Sequence, residues 1–312
     1  MSIDHPGRIA LNGPTMGTRW SAAFYAPDAV SPALATALQA AVDAVDATMS
    51  TWKPDSALMQ LNAMPPGVWL VVPPQLCTVV ALGLQIALDS GGAFDIGVGA
   101  AVAAWGFGAT SQQPDPIAIA RATALPIIAH PIEVDLAGSR LRRNGAVQID
   151  LSGIAKGHGV DRLAEVLAAH GIADFIVSID GEMRAAGSKP DGSGWVVGLE
   201  RPDRVQRIVA RTIAVSDMAI ATSGDYRHWR SYGDGTVSHT IDPRTGVPLD
   251  NGVCAVTVTA EHCAVADAWA TALMVLGAVQ GPEMARQYGL DALFTVRRGD
   301  ALTEIGVGAF AA

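Results

Sequence analysis

"QIDLSGIAKGHGVD", residues 148–161, begins with the alternation of a strand and ends with the spacing of a helix. Asp150, Ser152, three glycines and Lys156 lie around the join. A strand ending at Asp150 and a helix beginning near Lys156 leave free backbone N–H groups at the turn, with a positive helix terminus beyond. Gly153 could then offer a bare carbonyl to a cation, and Lys156 could face a phosphate. The stretch does not match the phosphate-loop pattern G-x-x-x-x-G-K-[ST]. Spacing alone therefore leaves two readings open, a tight strand-to-helix connection or a loop that holds a phosphorylated ligand against a metal ion.

On the N-terminal side, residues 7–25 read as two strands joined at "NGPTMG". A helix follows over "SPALATALQAAVDAVDATMSTW", with Ser31 as its N-cap. "WKPDSALMQLNAMPPG" is a broken, proline-bounded stretch, and "VPPQLCTVVALGLQIALDSGG" a buried helix closed by paired glycines. Residues 93–108 are glycine-punctuated and irregular. Residues 115–150 alternate short helix and strand signals, with an Asn-Gly hairpin turn expected at "RRNGA". On the C-terminal side, "VDRLAEVLAAHG" is a helix, and hairpins are expected from "DFIVSIDGEMRAAG" through "RIVARTIAVSDMAIATSG". "VCAVTVTA" is a strand, and "EHCAVADAWATALMVLGA" a long, nearly all-apolar helix. Frequent hairpins without strict βαβ alternation predict an α+β fold with largely antiparallel sheets. The 312 residues form one domain, or two interleaved subdomains without a sharp boundary.

Half of the chain is hydrophobic and 16% is charged, enough for a substantial core and incompatible with disorder. A net charge of −9 excludes a nucleic-acid surface, which needs a basic patch. An anionic ligand would need a local device here, a helix N-terminus or a divalent cation. Cys77, Cys254 and Cys263 are odd in number and lack metal-ligand spacing, so no disulfide framework is implied. "MSIDHPGRIALNGPTMGTRW" has no basic start followed by an apolar run. No segment reaches about 18 uncharged apolar residues, so no transmembrane segment is expected. As written the chain is cytoplasmic; with a leader removed beforehand it would read the same and be periplasmic.

Asp267 and Thr271 in "ADAWATAL" are four residues apart, so both oxygens project from one helical face among apolar neighbours. One reading is an Asp at the solvent edge of the helix. The other is a hard oxygen site for Mg2+, which takes few protein ligands and completes its shell with water and phosphate oxygens. "SHTIDPRTGVPL" holds His239, Asp242 and Arg244 within six residues, either an acid/base pair or a capped turn. "ATSGDYRHW" adds hydroxyls ahead of it, with His228 a surface residue. "GGAFDIGVG" places Asp95 where backbone can approach a flat ligand, or simply in a glycine-rich turn.

Taken in order, "TMGTRW", "STWKPDSALMQLN", "GGAFDIGVG…WGFG", "IDLSGIAKGHGVD", "DGEMRAAG", "ATSGDYR", "SHTIDPRTG" and "ADAWATALMVLG" closely resemble the ApbE family, the FAD:protein FMN transferases. The resemblance runs from about Met16 to Gly277. It implies a T-fold-like α+β architecture with FAD in a cleft between subdomains. It also implies Mg2+-dependent transfer of the FMN half of FAD to a threonine or serine of a target flavoprotein, releasing AMP. FAD contacts are implied for Met16, Trp52, Ala93, Phe94, Asp95, Asp150, Lys156, His239, Thr240 and Ala270. Mg2+ ligation is implied for the Gly153 carbonyl, Asp267 and Thr271, and the catalytic role for His239. Asp242 is then expected to steer His239, and Lys156 to neutralise a phosphate or order the loop. The sequence departs from the family pattern at Trp52, where a tyrosine is common, and at Asp180-Gly181, in place of a common Gly-Gly. It also shows no leader, where most members are exported. Two alternatives stay open: an FAD pyrophosphatase using the same site, and a non-catalytic FAD-binding protein.

Overall fold

The computed structural model describes residues 7–26, 31–109, 113–124, 131–227 and 229–311; His228 lies outside them. Its frame is one eight-stranded sheet in the order Gly7–Thr15, Thr18–Ala26, Phe175–Ile179, Glu182–Ala186, Met218–Gly224, Val253–Ala260, Asp291–Arg298 and Ala301–Val307. Every neighbouring pair is antiparallel, as the hairpin signals predicted. The first turn is tighter than "NGPTMG" suggested. Thr15 pairs with Thr18, and Met16 and Gly17 alone make the turn at φ 45° and 72°. Positive φ at both positions matches the twist of the flanking strands.

The helices hang from excursions between these strands. Between the second and third strands come α1 (Pro32–Met49), α2 (Ala57–Ala63), α3 (Pro74–Asp89), α4 (Gly99–Ala104), α5 (Pro116–Thr123) and α6 (Ala155–Ala169). The same excursion carries a small sheet of Trp69–Val71, Arg140–Arg143 and Ile132–Asp135. After Val253–Ala260 comes α7 (Cys263–Gln287). Ser31 caps α1 as expected, accepting from Ala33 N with Pro32 in the first turn. Ser56 caps α2 by accepting from Met59 N, so the stretch read as merely broken holds a seven-residue helix between its prolines.

Two expected features differ. The hairpin of the small sheet does not turn at Asn144-Gly145. Its connection is Leu136–Ser139, where Asp135 Oδ1 accepts from Gly138 N and Asp135 Oδ2 from Arg140 Nε. A side chain that makes its own turn bond wins over the Asn-Gly signal. The strand expected to end at Asp150 is a single parallel bridge between Gln148 and Val98. Ladder partners are replaced there by Asn62, whose amide bonds both the N–H and the C=O of Ile149, and by Ile96 O, which accepts from Asp150 N.

Alternation along the strands sends residues to two faces. Against the helical face, Val256, Val258 and Phe294 pack on Ala266, Trp269, Leu273 and Met274 of α7. Phe24 and Val177 pack there on Leu38 and Val42 of α1 and Leu163 of α6. On the opposite face Ala23, Ile220 and Leu293 are covered by the hairpin Trp195–Glu200/Val209–Val215. By length and composition alone α7 is long and apolar enough to cross a membrane, but two thirds of its most apolar window is buried against this core. Gly277, at φ 79°, breaks the helix where the apolar run in the sequence ends.

Candidate active site

The N-termini of α6 and α7 meet at a very close approach. A Cβ on Gly157 would lie 2.4 Å from the Cys263 carbonyl oxygen, so only glycine fits. Neither helix has a side-chain cap of its own, with Ile154 and His262 at the cap positions. Each is capped by the other. Asp161 of α6 accepts from Cys263 N (2.9 Å) and Ala264 N (3.0 Å) at the start of α7. Asp267 of α7 accepts from Gly157 N (2.9 Å) in the first turn of α6. Carboxylates at helix N-termini satisfy orphan N–H groups and meet the positive end of the helix dipole.

The two carboxylates are not equivalent. Asp161 spends both oxygens on N–H groups and also pairs with Arg184 at 2.7 Å. Asp267 is buried, and among the described residues its Oδ1 carries no hydrogen bond. Burial pushes its pKa up, against the pull of Lys156 and the Gly157 N–H. Thr271, one turn on, has its Oγ1 3.0 Å from Ser223 Oγ. A Cβ on Gly153 would lie 3.3 Å from that Thr271 oxygen and 3.2 Å from the Phe94 ring. The three residues expected to ligate Mg2+ are thus brought together from two separate elements. One carboxylate with an uncommitted oxygen, one hydroxyl and one backbone carbonyl form a hard-oxygen donor set that fits magnesium.

Lys156 does not stand free to meet a phosphate. Its Nζ is 2.7 Å from Glu182 Oε1 and 3.9 Å from Asp180 Oδ2. Desolvation draws the lysine pKa down, but Glu182, Asp267 and Asp180 outweigh it and the net shift is upward. Burial, opposed by Lys156, pushes Glu182 up to about 7. Glu182 is 2% exposed, and among the described residues its Oε2 has no hydrogen-bond partner. Asp180 occupies a left-handed φ of 54°, which explains why Asp replaces Gly at that turn: Asp is among the few residues tolerated there. Glu182 and Ser223 were not singled out from sequence. The signal for Glu182 was a charge on the inward-facing phase of a strand.

The remaining expected contacts surround this crossing. Met16 Cε lies against α6, 2.9 Å from where a Cβ on Gly159 would be. Phe94 is 5% exposed; Ala93 and Ala270 are fully enclosed and form wall. Trp52 is 55% exposed just beyond α1. Asp95 and Asp150 make local turn bonds, to Gly97 N and Ser152 N, both at 2.7 Å. Burial raises the Asp95 pKa, opposed by the Gly97 N–H.

The glycine-punctuated segment 93–108 spans the gap to the histidine. At one end Phe94 touches Gly153, and at the other the Phe107 ring sits 6.3 Å from the His239 ring, edge-on. Thr240 is buried, with its N–H on Ser238 Oγ. Asp242 is occupied by Arg244: Oδ1 accepts from Arg244 N and Nε, both at 2.9 Å, and Oδ2 from Nη2 at 2.8 Å. Those bonds outweigh desolvation and lower the Asp242 pKa. Through Arg244, Asp242 fixes the turn after His239. A cavity of about 180 Å³ is bordered by Asp95, Val98, Gln148 and Arg244. A larger one, about 520 Å³, borders the C-terminal half of α6 and contains none of the expected site residues.

An eight-stranded antiparallel sheet carrying two helices whose N-termini cap each other defines an α+β protein, with a carboxylate, a hydroxyl and a glycine turn gathered at the crossing. The model of the ApbE family matches residues 16–294, and the chain belongs to that family. It is 35% identical over 297 residues to the FAD:protein FMN transferase of Klebsiella pneumoniae strain 342, covering 93% of this chain and 85% of the relative. It is 35% identical over 310 residues to that of Vibrio cholerae, covering 97% and 92%. Among solved structures, flavinyl transferase ApbE of Pseudomonas stutzeri in its apo form superposes with a TM-score of 0.86 at 34% identity, covering 98% of this chain and 96% of that one. The flavin transferase ApbE of Vibrio cholerae gives 0.87 at 34% identity, covering 98% of both.

Proposed function

We propose that this protein is an FAD:protein FMN transferase, which moves the FMN half of FAD onto a threonine or serine hydroxyl of an acceptor flavoprotein. The observation that carries this reading is the convergence of Gly153, Asp267 and Thr271 at the α6–α7 crossing, in a chain a third identical to transferases of that name. The acceptor oxygen attacks the phosphorus on the FMN side of the diphosphate. A new phosphoester P–O bond forms, the bridging P–O bond breaks, and AMP leaves with the bond electrons. The hydroxyl proton passes to His239, acting as general base. Gly153, Asp267 and Thr271 would hold Mg2+, which would supply charge neutralisation for the diphosphate. Lys156, pinned by Glu182, orders the first turn of α6 rather than travelling with the substrate. The segment 93–108 positions Phe94 for the flavin end and Phe107 for the histidine. The test is to incubate the protein with FAD, Mg2+ and an acceptor flavoprotein, then read the acceptor by mass spectrometry. FMN on threonine or serine with stoichiometric AMP is expected. Free FMN and AMP with an unmodified acceptor would replace the reading by FAD hydrolysis.

A further inference from the structure

The chain is acidic overall, yet residues 201–211 carry four arginines, Arg201, Arg204, Arg207 and Arg211, against one acidic residue, Asp203. The first three arginines lie in the loop between strands Trp195–Glu200 and Val209–Val215 and Arg211 on the second strand; the loop is folded onto the hairpin that leads into His239. The Arg204 guanidinium stacks 5.6 Å over the Trp229 ring and donates to Thr236 Oγ1 at 3.2 Å. Trp229 pairs across its hairpin with Ser238, the residue before His239. Arg230, next along, stacks 5.4 Å over Phe107, the ring that faces His239. Arg207 and Arg211 each meet a carboxylate, Glu200 at 3.7 Å and Glu304 at 3.2 Å, whereas among the described residues Arg201 and Arg204 form no ion pair. The same rim exposes apolar surface: Val205 is 89% exposed, Trp229 41% and Tyr232 42%.

Resting on the transferase reading, we propose that this rim is the docking surface for the acceptor protein, and that it takes a segment with acidic residues flanking the acceptor hydroxyl. An acceptor oxygen that reaches a phosphorus near His239 must bring its own backbone across the structure carrying His239. Over a body of net charge −9 an acidic segment meets net repulsion, which a local arginine band offsets. Exposed arginine and aromatic side chains beside one another are the composition of interface hot spots, with charge giving steering and the rings giving anchorage.

The test uses two short labelled peptides with a central threonine, one flanked by Asp and Glu, the other by Asn and Gln at the same positions. Fluorescence anisotropy measures their binding to the full chain and to its Arg204→Glu/Arg207→Glu variant, with flavin-fluorescence quenching as the check that FAD binding is unchanged. The acidic peptide is expected to bind roughly five-fold tighter or more than its neutral twin. That preference is expected to collapse at high salt, where the screening length is a few ångström, and to disappear in the variant. Equal binding of the twins, or a preference that survives charge reversal, overturns the docking surface. Transfer is read separately by mass spectrometry. An acidic peptide that binds through the arginines but never acquires FMN leaves the surface standing and defeats the transferase reading instead.

Discussion

Asp161 and Asp267 occupy mirror positions at the α6–α7 crossing, each capping the helix that the other belongs to. The first is saturated by two N–H groups and Arg184. The second gives one oxygen to Gly157 and, among the described residues, keeps the other free of hydrogen bonds, one helical turn before Thr271, which faces Gly153. Two aspartates with the same local job therefore differ in what they have left over, and our proposal assigns the functional role to the one with a remainder. A cap that is fully satisfied is structure. A half-satisfied cap leaves an acceptor oxygen, the one our proposal gives to the cation.

The sharpest way to break this contrast is Asp267→Asn. The amide oxygen still accepts from Gly157, so folding survives, but the charge for Mg2+ is gone. Flavin transfer is expected to fall on the order of a thousand-fold, several kcal/mol of lost stabilisation. In chelator, urea unfolding of the variant should be unchanged or slightly more stable, because burial disfavours the charged form of Asp267. Asp161→Ala should do the reverse. Losing both cap bonds and the Arg184 partner should cost roughly 3 kcal/mol in urea unfolding, while the folded fraction retains transfer within a few-fold. If the two variants exchanged these outcomes, the assignment of roles would be backwards.

A smaller effect sharpens the same region. His158, on α6 between Gly157 and Asp161, has its pKa lowered to about 4 by burial, with Asp161 pulling it up and Arg162 pushing it down, and among the described residues its Nε2 lacks a partner. A base whose folded pKa lies below its unfolded value of about 6.5 stabilises the fold above that value and loses this as pH falls towards 4. Unfolding free energy should decline by roughly 1–2 kcal/mol over that window, allowing for partial solvation of the ring. His158→Gln should flatten the decline, and a variant with the same slope as the parent would assign it to other groups.

Much of the frame was legible because local signals carried it. Ser31 before Pro32, the glycines after α3, the alternation in "VCAVTVTA" and the apolar run of α7 each announced its element. Asp267 and Thr271 were legible as a pair because helical spacing puts them on one face. Reciprocal capping was not, because each carboxylate finds its N–H partners more than a hundred residues away. Glu182 was missed for the same reason, its partner Lys156 lying on another element. The short helix α2 escaped because seven residues between prolines show no period. Asp242 was read towards His239, whereas Arg244 two residues on captures it. Short-range hydrogen bonds beat longer reaches when both are available.

The account rests on the uncommitted oxygen of Asp267, and calorimetric titration of Mg2+ into metal-stripped protein saturated with FAD tests it most directly. The parent chain should show a saturable site that Asp267→Asn loses, with the variant's unfolding transition unchanged. Matching isotherms for the two proteins would place the cation elsewhere and remove the functional distinction between the two caps.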